Sequence, residues 1–185
     1  MQAGGQGFDP PPLHSDVQPF TDGNTHMTAT VTGRLPQVGE QASDFTLPST
    51  SGEKVTLSQF RGKQHVLLAF FPMAFTSTCT AELCAFSEDL VQFEGSDVAV
   101  FGVSVDALPS LKAFKKQEQL KEELLSDFKR EVVGPWGLLF ADTFFSNRAY
   151  VLIDKTGVVR WVHVEATPGT RRENAEVFAQ IAKLN

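Results

Sequence analysis

Cysteine is scarce in this 185-residue chain: there are two, and both lie in the stretch FFPMAFTSTCTAELC, residues 70–84. With 42% hydrophobic residues and sixteen phenylalanines, the chain can build an ample core without disulfides. The same composition excludes a disordered chain. Thiols in such a domain belong to a reducing compartment, where they are catalytic, metal-bound or inert, and the cytoplasm is the expected location. Positive charge is also short. A formal net charge of -6 and a pI near 5.2 count against a nucleic acid or an anionic membrane as the main partner. A small polar substrate fits better. No basic leader followed by an apolar stretch opens the chain, and the longest apolar run, residues 66–75, contains Pro72 and is too short to span a bilayer. A soluble protein is expected.

Regular patterning is missing from residues 1–33, which carry Gly4, Gly5, Gly7 and the triplet Pro10, Pro11, Pro12 among polar residues. They read as a flexible N-terminal extension. Met27, followed by TATVTGRLPQVGE, is an alternative start that would leave little of it. The expected folded domain is residues 34–185. SDFTLPSTSGEKVTLSQF reads as two short strands around a Ser-Gly turn, with Ser58 opening a helical turn. HVLLAFFP and VAVFGVSVD are continuous apolar runs of strand length, as strands covered on both faces are. Residues 78–93 follow the helical period, and PSLKAFKKQEQLKEE predicts a second helix. AYVLIDKTGVVRWVHV predicts a hairpin turning at Asp154, Lys155, Thr156 and Gly157, and RRENAEVFAQIAKLN closes as an amphipathic helix with Val177, Ile181 and Leu184 on one side. These elements imply an α/β fold, a mixed sheet with helices on both faces, and no internal repeat.

The cysteines carry the chemical question. The strand ending at Pro72 feeds Thr76, Ser77 and Thr78, any of which can cap a helix whose first turn contains Cys79. Unpaired N–H groups and the positive end of the helix dipole stabilise a thiolate there. Cys79, Leu83, Phe86, Leu90 and Phe93 also share one helical stripe, so a buried, inert cysteine is the competing reading. Cys84 sits about 140° around an ideal helix and about 7.5 Å along it, with Cα atoms roughly 8.7 Å apart. A disulfide needs less than about 7 Å, so the pair can bond only if this stretch of helix unwinds. Two cysteines supply too few ligands for zinc, and His14, His26, His65 and His163 show no ligand spacing with them. C-x4-C is also not the C-x2-C of a disulfide reductase.

Pro72, Thr76 and Cys79 in PMAFTSTC match the P-x-x-x-T-x-x-C motif of the peroxiredoxins, and residues 34–185 resemble that family. LLSDFKREVVGPWGLL and SNRAYVLIDKTGVVRW are similar to its later segments. FFPMAFTSTCTAEL is closest to the AhpE-like group, usually with one active cysteine, whereas a partner five residues on resembles the bacterioferritin comigratory protein group, or PrxQ. The resemblance implies a thioredoxin-like fold and a thiol-dependent peroxidase acting on hydrogen peroxide or organic hydroperoxides, with Cys79 as nucleophile. It implies Arg148 as the active-site cation, Thr76 as a hydroxyl facing the peroxide, and Pro72 as a shield that offers no competing N–H. Glu82 is placed to hold Arg148 through a charge-assisted pair. Cys84 would resolve the sulfenic acid as an intramolecular disulfide, and thioredoxin or a similar dithiol would reduce it. No metal, flavin or nucleotide cofactor is implied, and a monomer or homodimer is expected. Three alternatives remain at this point: a one-cysteine enzyme resolved by an external thiol, a redox switch or holdase, and a binding module with vestigial cysteines.

Overall fold

A computed structural model describes residues 33–184, so apart from Gly33 the expected extension and the Met27 start lie outside the described residues. Strands β1 (Thr46–Pro48) and β2 (Lys54–Thr56) form the small hairpin expected around the Ser-Gly turn. The helical turn after it is a 3-10 segment, Leu57–Phe60, capped by Thr56 rather than opened by Ser58. The two long apolar runs become β3 (His65–Phe70) and β4 (Val98–Ser104), paired in parallel. Between them the helical pattern is split at Asp89 into α1 (Ser77–Glu88) and α2 (Leu90–Gly95).

The second expected helix is shorter than its sequence pattern. α3 (Leu108–Glu118) stops at Gln119, whose φ of 55° is left-handed, and Glu123–Ser126 instead forms strand β5 beside β4. Leu, Lys and Glu favour helix in isolation, but pairing to β4 and burial of Leu124 and Leu125 override that preference. β6 (Ala149–Ile153) and β7 (Val159–Val164) form the expected hairpin, and α4 (Asn174–Ile181) closes the chain before a last 3-10 turn, Ala182–Leu184.

The main sheet runs β5-β4-β3-β6-β7, with β3 parallel to β4 and antiparallel to β6. Apolar residues from all four α-helices meet Leu67, Ala69, Tyr150 and Leu152 on one face. On the other, Val66, Leu68, Phe70 and Val151 meet the β1–β2 hairpin, the first 3-10 turn and the segment around Trp136. This is the thioredoxin-like arrangement, a mixed five-stranded sheet with its four α-helices on one face and, of the helices expected on the other, only the 3-10 turn Leu57–Phe60 among the described residues. Gly102 of β4 lets α1 settle closely: a Cβ there would lie 3.0 Å from the Leu83 side chain and 2.7 Å from Leu124. Trp136 is a buried core residue against Phe45 and Phe70. Among the described residues no helix is long and apolar enough to cross a membrane.

The β6–β7 turn is built around one carboxylate. Asp154 accepts from the amides of Thr156 (2.8 Å) and Val158 (3.0 Å) and the Thr156 hydroxyl (2.6 Å), and pairs with Arg160 at 2.5 Å. Partial burial works to raise its pKa, but these donors outweigh it and hold the carboxyl down at about 2. A folded-state pKa below the unfolded 3.8 means the contribution is complete above pH 3.8 and is lost as pH falls through about 2. Asp154→Ala should therefore melt several degrees lower at pH 7, with the gap to wild type closing between about pH 4 and pH 2. A constant gap across an acid series of thermal melts would contradict this.

Candidate active site

The end of β3 delivers the cysteine loop to the helix face. Phe71 N–H donates to the Val103 carbonyl at 2.9 Å, and Ala74 N–H to Asp106 Oδ2 at 2.9 Å, which ties the loop to the end of β4. Pro72 is half-buried at its start. Phe70 and Phe71 are core residues, whereas Phe75 is half exposed at a φ of 64° with its ring against Phe114. Thr76 is the N-cap of α1 by backbone geometry, yet its hydroxyl makes no cap bond and donates to the Met73 carbonyl at 2.9 Å. The helix ladder begins where Thr80 N–H donates to the Thr76 carbonyl, which leaves the Cys79 amide ahead of the ladder at the positive helix end.

Cys79 is 1% exposed and faces the sheet, at the head of the stripe that continues through Leu83, Phe86 and Phe93. Its sulfur has a polar partner from the residue that precedes β6. Arg148, immediately before β6, is fully buried and donates from Nη2 to Cys79 Sγ at 3.1 Å. The other guanidinium donors are also committed: Nη1 pairs with Glu82, while Nε and Nη2 reach the Pro168 carbonyl at 3.4 and 3.1 Å. Burial opposes the Arg148 charge, and Glu82 and the Cys79 sulfur together outweigh it. Glu82 lies one turn after Cys79 and is 1% exposed. Burial, the largest influence on it, pushes its carboxyl up to about 7 against the opposing pull of Arg148, the Tyr150 hydroxyl and Arg171.

Cys79, Glu82 and Arg148 thus meet at one place, Pro72 and Thr76 lie on the loop and cap that lead into it, and Cys84 stands apart. Cys84 is half-buried further along the continuous α1, and both thiols are free. Burial, with Glu118, Glu122 and Glu88 nearby, pushes its thiol above the ordinary cysteine range. Two parts of the site escaped sequence reasoning. The Pro168 carbonyl, from the loop after β7, carried no signal. Tyr150 did carry one, because it lies two residues beyond Arg148 on the same face of β6.

The Arg148–Glu82 pair yields a stability prediction. Glu82→Leu would strand a buried guanidinium, a loss of about 3–5 kcal/mol. For a chain of this size the melting temperature should fall by roughly 10 °C. The melt belongs at pH 8, above the Glu82 titration, with the thiols reduced; a drop under about 2 °C would mean the pair does not hold the fold.

Comparison with known proteins agrees with this geometry. The AhpC/TSA family matches residues 38–162. Alkyl hydroperoxide reductase E of Mycobacterium tuberculosis is 36% identical over 138 residues, 74% of this chain and 90% of that protein. Chloroplastic peroxiredoxin Q of Oryza sativa subsp. japonica is 35% identical over 147 residues, covering 78% of this chain and 65% of that one. Among solved structures, reduced 2-Cys peroxiredoxin of Plasmodium vivax superposes with a TM-score of 0.73 at 33% identity, over 78% of this chain and 80% of that chain.

Proposed function

Since the chain belongs to the AhpC/TSA family of peroxiredoxins and is a thiol-dependent peroxidase, we propose that Cys79 is the sulfur that attacks the peroxide. The observation that carries this reading is the 3.1 Å contact from a fully buried Arg148 to Cys79 Sγ at a helix N-terminus. In a water-poor site such a cation stabilises both the attacking thiolate and the negative charge that grows on the leaving oxygen. The S–O bond forms as the O–O bond breaks; the leaving oxygen takes a proton and departs as water or an alcohol, and Cys79 becomes a sulfenic acid. Thr76 spends its proton on Met73, so its oxygen is left to accept from the peroxide O–H. Pro72 walls the approach without adding a donor.

Cys84 then attacks the sulfenic sulfur, an S–S bond replaces S–O, and water leaves. Thioredoxin or a similar dithiol reduces that disulfide. A second reading, resolution by an external thiol, is favoured by the raised Cys84 thiol and the unbroken helix between the two cysteines. Intact mass after one equivalent of hydrogen peroxide, with and without alkylation, separates the two. A loss of about 2 Da with both cysteines protected supports the intramolecular disulfide, and a gain of about 16 Da with Cys84 still alkylable supports the external thiol. A mass unchanged within seconds would remove Cys79 from the nucleophile's role.

A further inference from the structure

Behind Arg148 lies a second layer that the peroxidase chemistry has not used. Tyr150 is fully buried, and its hydroxyl donates to Glu82 Oε1, the oxygen that Arg148 leaves free. The same phenolic oxygen accepts the Arg172 N–H at 2.9 Å. A hydroxyl that accepts one hydrogen bond is polarised toward donating another, so Tyr150 is held as a donor of fixed direction. Its ring is held just as firmly, stacked on Trp161 at 5.9 Å and met edge-on by Phe86 of α1 at 6.5 Å.

The chain around Arg172 completes the arrangement. Glu165 N–H donates to the Arg148 carbonyl at 2.9 Å, Pro168 offers its carbonyl to the guanidinium, and Arg172 reaches back to Tyr150. Glu165 and the Arg172 side chain pair at 2.8 Å, so residues 165–172 form a strap tied at both ends. Each Glu82 oxygen then has one donor from β6 or its edge. Removing the phenol's proton would let the carboxylate rotate and take the Arg148 fork with it, away from Cys79 Sγ.

We infer that Tyr150 is a positioning residue for peroxide reduction: through Glu82 it fixes the Arg148 guanidinium on the Cys79 sulfur. This rests on the reading of Cys79 and Arg148 given above, and it adds a residue that touches neither the sulfur nor the peroxide. Tyr150 is the only tyrosine in the chain, which makes it readable without ambiguity.

The test is a double-mutant cycle on the single-turnover rate of Cys79 oxidation by hydrogen peroxide, using Tyr150→Phe, Glu82→Gln and both together. Tyr150→Phe keeps the ring and its packing and should slow the reaction about tenfold, the scale of one charge-assisted hydrogen bond. In the Glu82→Gln background the same change should alter the rate less than about twofold, because its route to Arg148 is already cut. A tenfold loss that persists in that background would show that the Tyr150 hydroxyl acts by a route other than Glu82 and would overturn the inference. So would an unchanged rate in Tyr150→Phe. A wild type that does not react would instead remove the underlying reading.

A second measurement needs no substitution at Tyr150. Labelling with 3-fluorotyrosine gives one 19F resonance, whose surroundings hold Glu82 from α1, Arg148 just before β6, Arg171 and Arg172 from the strap and His163 from β7. The resonance should move with a midpoint near 7 as Glu82 titrates, and that movement should vanish in Glu82→Gln. A resonance that moves as much in Glu82→Gln as in wild type would show that Tyr150 is not coupled to Glu82, and the inference would fall.

Discussion

Arg148→Leu is expected to slow oxidation of Cys79 by hydrogen peroxide by about 10³-fold, the upper end for loss of one preorganised donor to a developing anion. The size follows from placement. Nη2 lies 3.1 Å from Sγ in a site where Arg148, Cys79 and Glu82 are all buried, so bulk water cannot replace the lost cation. The single change also strands Glu82, and a fold defect would mimic a chemical one. Arg148→Leu combined with Glu82→Leu removes both charges and leaves an apolar pair in their place, which is tolerated far better than an orphaned ion. Arg148→Lys keeps the charge but gives up the planar fork that serves Sγ, Glu82 and the Pro168 carbonyl together. A loss of about 10²-fold is expected there, since a point charge cannot hold three directions at once. Stopped-flow measurement under single-turnover conditions reads all three variants. Wild-type rates in the leucine variants would show that the contact is structural.

The placement of Cys79 could be read ahead of the structure because its determinants are local. A buried strand, a proline, a run of hydroxyl residues and a helical stripe lie within about twenty positions, and Glu82 follows at the spacing that shares a helix face with Cys79. The burial of Arg148 has no such local cause. It depends on β6 pairing with β3, far away in sequence, and on the strap after β7 closing over it. Composition misled where tertiary contacts overrode propensity. The helical pattern of residues 109–123 runs on to Glu123, yet Gln119 turns left-handed and Glu123 opens β5, taking hydrogen bonds from Ser49 and Thr50 of the β1–β2 turn. Phe75 reads as core by type, yet it occupies a left-handed turn that carries the chain from Pro72 into α1. Tyr150 was legible in principle, since period two puts it beside Arg148, but a tyrosine in an apolar strand announces packing sooner than a hydrogen-bond role.

Cys84→Ser is expected to leave the first peroxide reduction within about twofold of wild type, trap Cys79 as sulfenic acid, and reduce sustained turnover with thioredoxin to a few per cent or less. The serine hydroxyl fits the half-buried helical position and cannot form an S–S bond. What makes the second step demanding is the residue between the cysteines. With Cα atoms roughly 8.7 Å apart on an intact helix, residues 79–84 must unwind, and Glu82 must then leave both Arg148 and Tyr150. Leu83 must also leave its seat on Gly102. The far end of α1 is clamped separately: Asn174 Nδ2 donates to the Ala85 carbonyl and to Asp89, each at 2.8 Å, and Ser87 bonds Glu122. Such unwinding would therefore be confined to the start of the helix while its last turns stay docked. In the proposed cycle chemistry would supply the trigger, because a sulfenic acid no longer presents Arg148 with the charge of a thiolate. The Cys84 thiol adds a pH dependence. Burial and its acidic neighbours raise it above the ordinary cysteine value, so only a small fraction is thiolate near neutrality. Disulfide formation should accelerate nearly tenfold per pH unit between pH 7 and pH 8.5, read by quenched mass spectrometry after a peroxide pulse. Unchanged turnover in Cys84→Ser, with a pH-independent second step, would transfer resolution to an external thiol.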